Sequence, residues 1–412
     1  MLSLVLTGIR QPPAAANLQR GEVVPPHGVE TSPIPFRQAG RQGKRTPRSA
    51  AFIGALSAIA SVAGCASYVH TPYLPADAPV RSALVRVAAG EFDYMDHWPD
   101  PRHPIVEEGR DYRVRSFAFA SVGENGQEGN LVTGRYYQGK DPGPKPLVIV
   151  LPVWGVHSYP SETISAGLRE RASGAVNVLQ IIGEDLLFDW PAVGESASEA
   201  AFYRTLDAMV ARFVATVIDI RRIVDWAETR PEADPDRIAL IGFSIGAVIA
   251  SVALANEPRL AAGVLVMGGA DPHAILTACG REIAETRERV LAQLDWSLER
   301  LEGVLEVRLA KINPARYADT VDPARVLIIE AGADSCVPQS ARDRLWQAFG
   351  RPERIAYRYD HRTAFLAMTL LGGYDLQRQV YQFLDRRFAR RSSLRLTEDE
   401  GAPGRRARAG PG

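Results

Sequence analysis

Apolar positions along this chain switch between two registers, and the switching outlines the fold. Tyr112 to Ala120 (YRVRSFAFA) alternates apolar with polar, as a half-buried strand does. Residues 123–129 read as a turn, and Asn130 to Gln138 as a second strand. Pro146 to Leu151 (PLVIVL) is nearly continuous apolar sequence, the pattern of a strand covered on both faces. Further strands are expected at Ala175–Ile182, Arg237–Gly242, Ala261–Met267, Arg325–Glu330 and, last and short, Arg354–Tyr359.

Between these runs the period lengthens to that of a helix. Phe202 to Arg230 carries Val210, Phe213, Val214, Val217, Ile220 and Ile223 at spacings of three and four. Pro231 ends it, and Asp234-Pro235-Asp236 turns the chain into the next strand. Helices are also expected over Ser161–Ala172, Ala247–Ala255 and Gln339–Phe349, with Thr363–Leu371 and Tyr374–Phe388 closing the chain. Strand and helix alternating over this length predict an α/β fold with a mostly parallel central sheet and helices on both faces. Residues 271–316 depart from the alternation, being helical, more polar and without a strand-like run. They are read as an inserted helical cap; two ordinary surface helices are the alternative.

The two ends of the chain do not share this patterning. Residues 1–44 are rich in Pro, Gly, Gln and Arg and are expected to be disordered, or an upstream extension of the gene model. Residues 45–64 then carry a basic cluster (Lys44-Arg45-Thr46-Pro47-Arg48 around its start) and the uncharged run AAFIGALSAIASV. That run is shorter than the ~20 residues a spanning helix needs, so it reads as a secretory signal. Its end, Val62-Ala63-Gly64-Cys65, resembles the lipobox of bacterial lipoproteins. The resemblance implies lipid on Cys65, a mature chain that starts there, and residence in the cell envelope, with the outer membrane favoured. Residues 65–111 then form a tether, 112–388 the folded domain and 389–412 a disordered tail.

Composition narrows the partners. Lys+Arg of 48 equals Asp+Glu of 48, so no global field points to nucleic acid. Asp93, Asp96, His97, Asp100 and His103 are hard ligands, but in a proline-broken loop they are expected to be solvated and not to hold a metal. Cys65, Cys279 and Cys336 make no metal-ligand spacing. Cys279 and Cys336 either pair in an oxidising compartment or stand as two buried thiols, the second being slightly favoured.

The chemistry concentrates at Gly242-Phe243-Ser244-Ile245-Gly246, where a strand meets a helix. Such an elbow presents a serine hydroxyl at the carboxyl end of a strand, and the two glycines stand where strand and departing helix crowd together. A serine hydroxyl needs a base, and the base a third group that fixes its tautomer. Downstream of Ser244 lie His273 and His361, and only His361 follows a strand that itself follows a candidate acid. Asp334, in the loop after RVLIIE, is the expected acid and Asp271 the runner-up. Asp360 adjoins His361 too closely in sequence to orient it. The oxyanion would be met by the backbone N–H of Ile245 and by that of Val153, with Trp154 second. Trp154 and Tyr159 either line the acyl pocket or simply pack their loop.

Residues 112–388 resemble the α/β-hydrolase fold. GFSIG resembles its nucleophile elbow, GADSCVP its acid loop, DHRTAFL the region of its histidine, and LPVWGV the oxyanion loop of the dienelactone hydrolase branch. In that branch the nucleophile is cysteine and here it is serine, so a dienelactone substrate does not carry over. The expected enzyme is a lipid-anchored serine carboxylic ester hydrolase acting on a small-molecule acyl substrate through Ser244, Asp334 and His361, without cofactor or metal. A peptidase, thioesterase or acyltransferase on the same residues is the first alternative, and a non-catalytic envelope lipoprotein the second.

Overall fold

A sheet of ten strands carries the chain in the computed structural model, which describes residues 68–75, 90–94, 101–122, 131–153, 159–182, 189–280, 282–370 and 374–401. Contacts divide the chain into residues 1–57 and 58–412, and every described residue belongs to the second unit. The signal segment with Cys65, the turn at 123–129, and Trp154 lie outside the described residues.

The strands are β1 (Tyr68–Thr71), β2 (Ile105–Glu108), β3 (Tyr112–Ala120), β4 (Leu131–Gly139), β5 (Lys145–Val150), β6 (Asn177–Ile181), β7 (Ala233–Phe243), β8 (Leu260–Val266), β9 (Val326–Ala331) and β10 (Glu353–Tyr357). Their order across the sheet is β1-β10-β9-β8-β7-β5-β6-β4-β3-β2. From β10 to β6 all neighbours are parallel, while β4, β3 and β2 continue antiparallel at one edge and β1 closes the other edge antiparallel to β10. The central strands β5, β8 and β9 are buried along their whole length, which is why their sequences show no alternation. β3 faces water on one side and alternates accordingly.

The helices are α1 (Tyr159–Ala172), α2 (Trp190–Val193), α3 (Glu199–Glu228), α4 (Ile245–Asn256), α5 (Pro272–Ala278), α6 (Glu282–Leu294), α7 (Leu298–Leu309), α8 (Gln339–Ala348), α9 (His361–Leu370) and α10 (Tyr374–Gly401). On one face Ile164 and Leu168 of α1 and Val380, Phe383 and Leu384 of α10 pack on Val148 and Val150 of β5. On the other, the apolar stripe of α3 (Phe202, Phe213, Val217, Ile220) and α4 pack on Ile149, Ile238 and Leu240. α3 begins where Ser198 Oγ accepts the N–H of Ala201, a side-chain cap for an otherwise unpaired donor.

Two expectations change. Part of the stretch taken as tether pairs into the sheet: β1 supplies an edge strand whose Tyr68 lies against the Tyr357 ring. Four residues are too few for periodicity to reveal, and their partner lies far along the chain. The last helix also continues beyond Phe388 to Gly401, into sequence assigned to a disordered tail. Arg, Leu and Glu there are good helix formers, and no Gly or Pro interrupts before Gly401.

The chain over 271–316 forms α5, α6, α7 and short 3₁₀ turns. It is fastened to α3 and α2 by the Trp296 ring against Phe202, by Arg308 on Asp207, and by Trp190 Nε1–H donating to the Ile283 carbonyl.

Candidate active site

The sheet reverses its winding at β5, because β6 lies on one side of it and β7 on the other. A crevice opens at such a reversal, outside the carboxyl ends of the strands. Ser244 stands there, between the last residue of β7 and the first of α4. Its φ of 52° and ψ of −118° are strained for a residue with a side chain. The backbone is held in place on both sides: Ser244 N–H donates to the Val266 carbonyl at 2.8 Å, and its own carbonyl accepts from Ala247 at 2.9 Å.

The glycines on either side allow this turn. A Cβ on Gly242 would lie 2.1 Å from the Gly246 carbonyl oxygen, and one on Gly246 would lie 2.5 Å from the Pro152 carbonyl oxygen. Both obstacles are backbone and neither can swing aside. The second contact also places the chain leaving β5, Pro152 and Val153, against the first turn of α4. The N–H of Ile245 opens that helix and has no acceptor within it. Val153 and Ile245, the residues expected to supply oxyanion donors, thus sit on two adjoining segments.

Asp334 and His361, the expected acid and base, are brought together by the ends of β9 and β10. Beyond the strands, Gly332 N–H donates to the Tyr357 carbonyl at 2.6 Å and Ala333 N–H to the Tyr359 carbonyl at 2.9 Å. The buried guanidinium of Arg342 on α8 donates to the carbonyls of Ala331 and Gly332. Asp334 Oδ1 then accepts two backbone N–H groups, from Cys336 at 2.8 Å and Val337 at 2.9 Å. Its other oxygen, Oδ2, lies 2.6 Å from His361 Nδ1, and His361 Nε2 lies 3.3 Å from Ser244 Oγ. The last distance is long, as such bonds often are before substrate binds. The Asp334 side chain is 0% exposed and that of His361 17%, so the acid is shielded and the imidazole reachable.

The structure therefore joins Ser244, His361 and Asp334 in one hydrogen-bonded line, and it employs the other candidate acids elsewhere. Asp271 precedes α5 without a side-chain bond to it, and its carboxylate accepts from Asn313 Nδ2 at 2.7 Å. Asp360 accepts the N–H groups of Arg362 and Thr363, so it caps the helix that His361 opens. Of the loop acids and histidines, His103 hydrogen-bonds to the Pro101 carbonyl, while Asp96, His97 and Asp100 lie outside the described residues. Among the described residues no three His, Cys, Asp or Glu side chains group as metal ligands.

One pairing overturns an expectation. Cys279 and Cys336 form a disulfide, where two separate thiols were slightly favoured. The fold places the end of α5 against the acid loop, so residues 57 apart in sequence meet. Sequence spacing carried no sign of that. Beside Ser244 the disulfide helps enclose a cavity of about 70 Å³, whose other walls include Val248, Met267, Ile275, Leu276 and Ile312. These pocket residues went unrecognised in the sequence because the packing of 271–316 is tertiary.

A serine on a strained strand–helix turn, at the carboxyl edge of a mostly parallel sheet covered on both faces, defines the α/β-hydrolase class. Residues 132–356, more than half of the chain, match the dienelactone hydrolase family, and the chain belongs to that family. The family places it among ester-hydrolysing enzymes. Among solved structures it is similar to acetyl xylan esterase 1 from a Thermoanaerobacterium species, at 18% identity and a TM-score of 0.51, over 64% of this chain and 83% of that one. It is similar also to an acetyl xylan esterase from a Paenibacillus species (17% identity, TM-score 0.48, 67% and 89% covered). A putative dienelactone hydrolase from Klebsiella pneumoniae gives 16% identity and a TM-score of 0.40, with 66% and 98% covered. The first of these likenesses, at a TM-score of 0.51, speaks to the fold alone. No curated protein matches the sequence.

Proposed function

We propose that the protein is a serine carboxylic ester hydrolase that works through an acyl-enzyme. The observation that carries the reading is the unbroken line from Ser244 Oγ through His361 to Asp334. Ser244 Oγ attacks the acyl carbon while His361 Nε2 takes its proton. Asp334 holds Nδ1–H, which keeps Nε2 free to accept and then offsets the charge on the imidazolium. The carbonyl oxygen becomes an oxyanion and is met by the N–H groups of Ile245 and Val153, the former with the positive end of the α4 dipole behind it. His361 returns its proton to the alcohol that leaves. Water, deprotonated by His361, then attacks the acyl-enzyme and releases the acid, regenerating Ser244. These steps call for no cofactor.

The test is covalent labelling by a fluorophosphonate probe together with hydrolysis of p-nitrophenyl butyrate. Both are expected in the wild type, and both are expected to vanish in Ser244→Ala. Undiminished labelling of that variant would refute the nucleophile assignment. The proposed address is the bacterial cell envelope, with Cys65 carrying the lipid that anchors the chain. The lipobox-like Val62-Ala63-Gly64-Cys65 behind a basic and apolar segment supports it.

A further inference from the structure

The cavity beside Ser244 has an orientation that the proposed mechanism turns into a specificity. A tetrahedral carbon on Ser244 Oγ carries three further substituents. The oxyanion must face Ile245 and Val153, and the leaving oxygen must face His361 Nε2, which protonates it. Ile245 borders the cavity beside Ser244 but neither Val153 nor His361 lines it, and it opens toward Met267, α5 and the acid loop. The direction left for the acyl chain is therefore into the cavity. Apart from Ser244 itself, every described side chain on its walls is hydrocarbon or sulfur. An ionised or hydrogen-bonding acyl group would be desolvated there without a partner, whereas a methylene chain loses nothing.

Size sets the second limit. A volume of about 70 Å³ is about half of the roughly 150 Å³ that takes up a benzene, so it admits about three carbons beyond the carbonyl. Longer chains meet the walls, and one wall is covalent. Cys279 ends α5 and Cys336 follows Asp334 by two residues, so the disulfide ties the cap-side helix to the loop that holds the acid. Ile275 and Leu276, which line the cavity, stand on the same short helix that the tie holds at its end.

We propose that the Cys279–Cys336 disulfide is a specificity determinant: it fixes the wall of an apolar acyl pocket and so restricts the enzyme to esters of short aliphatic acids, about three to five carbons long. The inference rests on the hydrolase reading above. It makes the bridge a gauge of chain length, with Ile275 among the side chains that line the space.

The experiment measures kcat/KM on p-nitrophenyl esters from acetate to decanoate. For the wild type it should rise about fourfold per added methylene up to butanoate and then fall. Ile275→Phe, which fills the pocket, should move the optimum to acetate. The double variant Cys279→Ala/Cys336→Ala, which releases the wall, should raise the decanoate-to-butanoate ratio at least tenfold. Ratios within one preparation do not depend on how much protein is active, and if the double variant melts the same ratio is read on wild-type protein whose bridge has been opened with a phosphine reductant. A wild-type optimum at acetate or one that Ile275→Phe leaves in place overturns the pocket assignment, and a ratio unchanged once the bridge is opened overturns the role of the disulfide, while fluorophosphonate labelling keeps the hydrolase reading intact. Loss of both labelling and ester hydrolysis in the wild type overturns the two together.

Discussion

Replacing Asp334 with Asn tests the proposed mechanism at its least exposed point. The two side chains are the same size, and the difference is one oxygen exchanged for an NH2. In the wild type, Oδ1 accepts the N–H groups of Cys336 and Val337 while Oδ2 faces His361 Nδ1 at 2.6 Å. Asparagine can satisfy only one of these demands with its single oxygen. If the oxygen keeps the two backbone donors, the NH2 faces His361 and obliges Nδ1 to accept. The imidazole proton then sits on Nε2, where it blocks proton transfer from Ser244. If the amide turns over, its NH2 faces two backbone N–H groups in a buried site and leaves them unsatisfied, at a cost of about 1–3 kcal/mol each. The first arrangement wins, so the fold survives and the tautomer is wrong. The loss in kcat should be about ten-thousand-fold, or about 5 kcal/mol in the barrier. The assay is p-nitrophenyl butyrate hydrolysis near pH 7.5, alongside a thermal melt of the same preparation. A melt close to wild type with a kcat loss below tenfold would refute the role given to Asp334.

Two other outcomes follow from residues away from the nucleophile. Asp219 on α3 is buried and pinned to the end of β3 through Ser121, Val122 and Arg222. Burial pushes its carboxyl up from 3.8 to about 6, against the opposing pull of Ser121 and Arg222. A folded-state value raised above the unfolded one means stability that is fully present below the unfolded value and lost as pH rises through about 6. This group should therefore remove about 2 kcal/mol of stability between pH 4.5 and pH 7. Urea denaturation of Asp219→Asn should show a pH dependence smaller by that amount, and identical slopes would show that Asp219 does not titrate in this way. In the envelope, Cys65→Ala should abolish incorporation of an alkyne-bearing fatty acid when the full chain is expressed in a bacterial host; equal incorporation would remove the proposed anchor.

Much of this molecule is legible along the chain because the relevant physics is local. Pro146–Leu151 and Ala261–Met267 read as strands covered on both faces since burial demands apolar side chains at every position, and the sheet places them there. Gly242, Ser244 and Gly246 read as an elbow since close backbone approach excludes a Cβ. The order of Ser244, Asp334 and His361 follows from the succession of strand ends, which sequence order preserves on this fold. Other features depend on which distant segments meet. β1 pairs with β10 across nearly the whole chain, and nothing in four residues encodes that partner. Chain order favours Asp334 over Asp271 as the acid, but the contact each makes, Asp271 with Asn313 and Asp334 with His361, is set by packing. The same holds for the disulfide and for the apolar walls beside Ser244, where α5 and the acid loop are brought together by the sheet beneath them. The chain by itself thus marked Ser244 as candidate nucleophile, His361 as candidate base, Asp334 as first-choice acid and the layered sheet that holds them, because these follow from short-range pattern and strand order. The tertiary structure alone decided that the two cysteines join and how much room lies beside the serine, because each is a distance between segments whose separation along the chain says nothing of their separation in space.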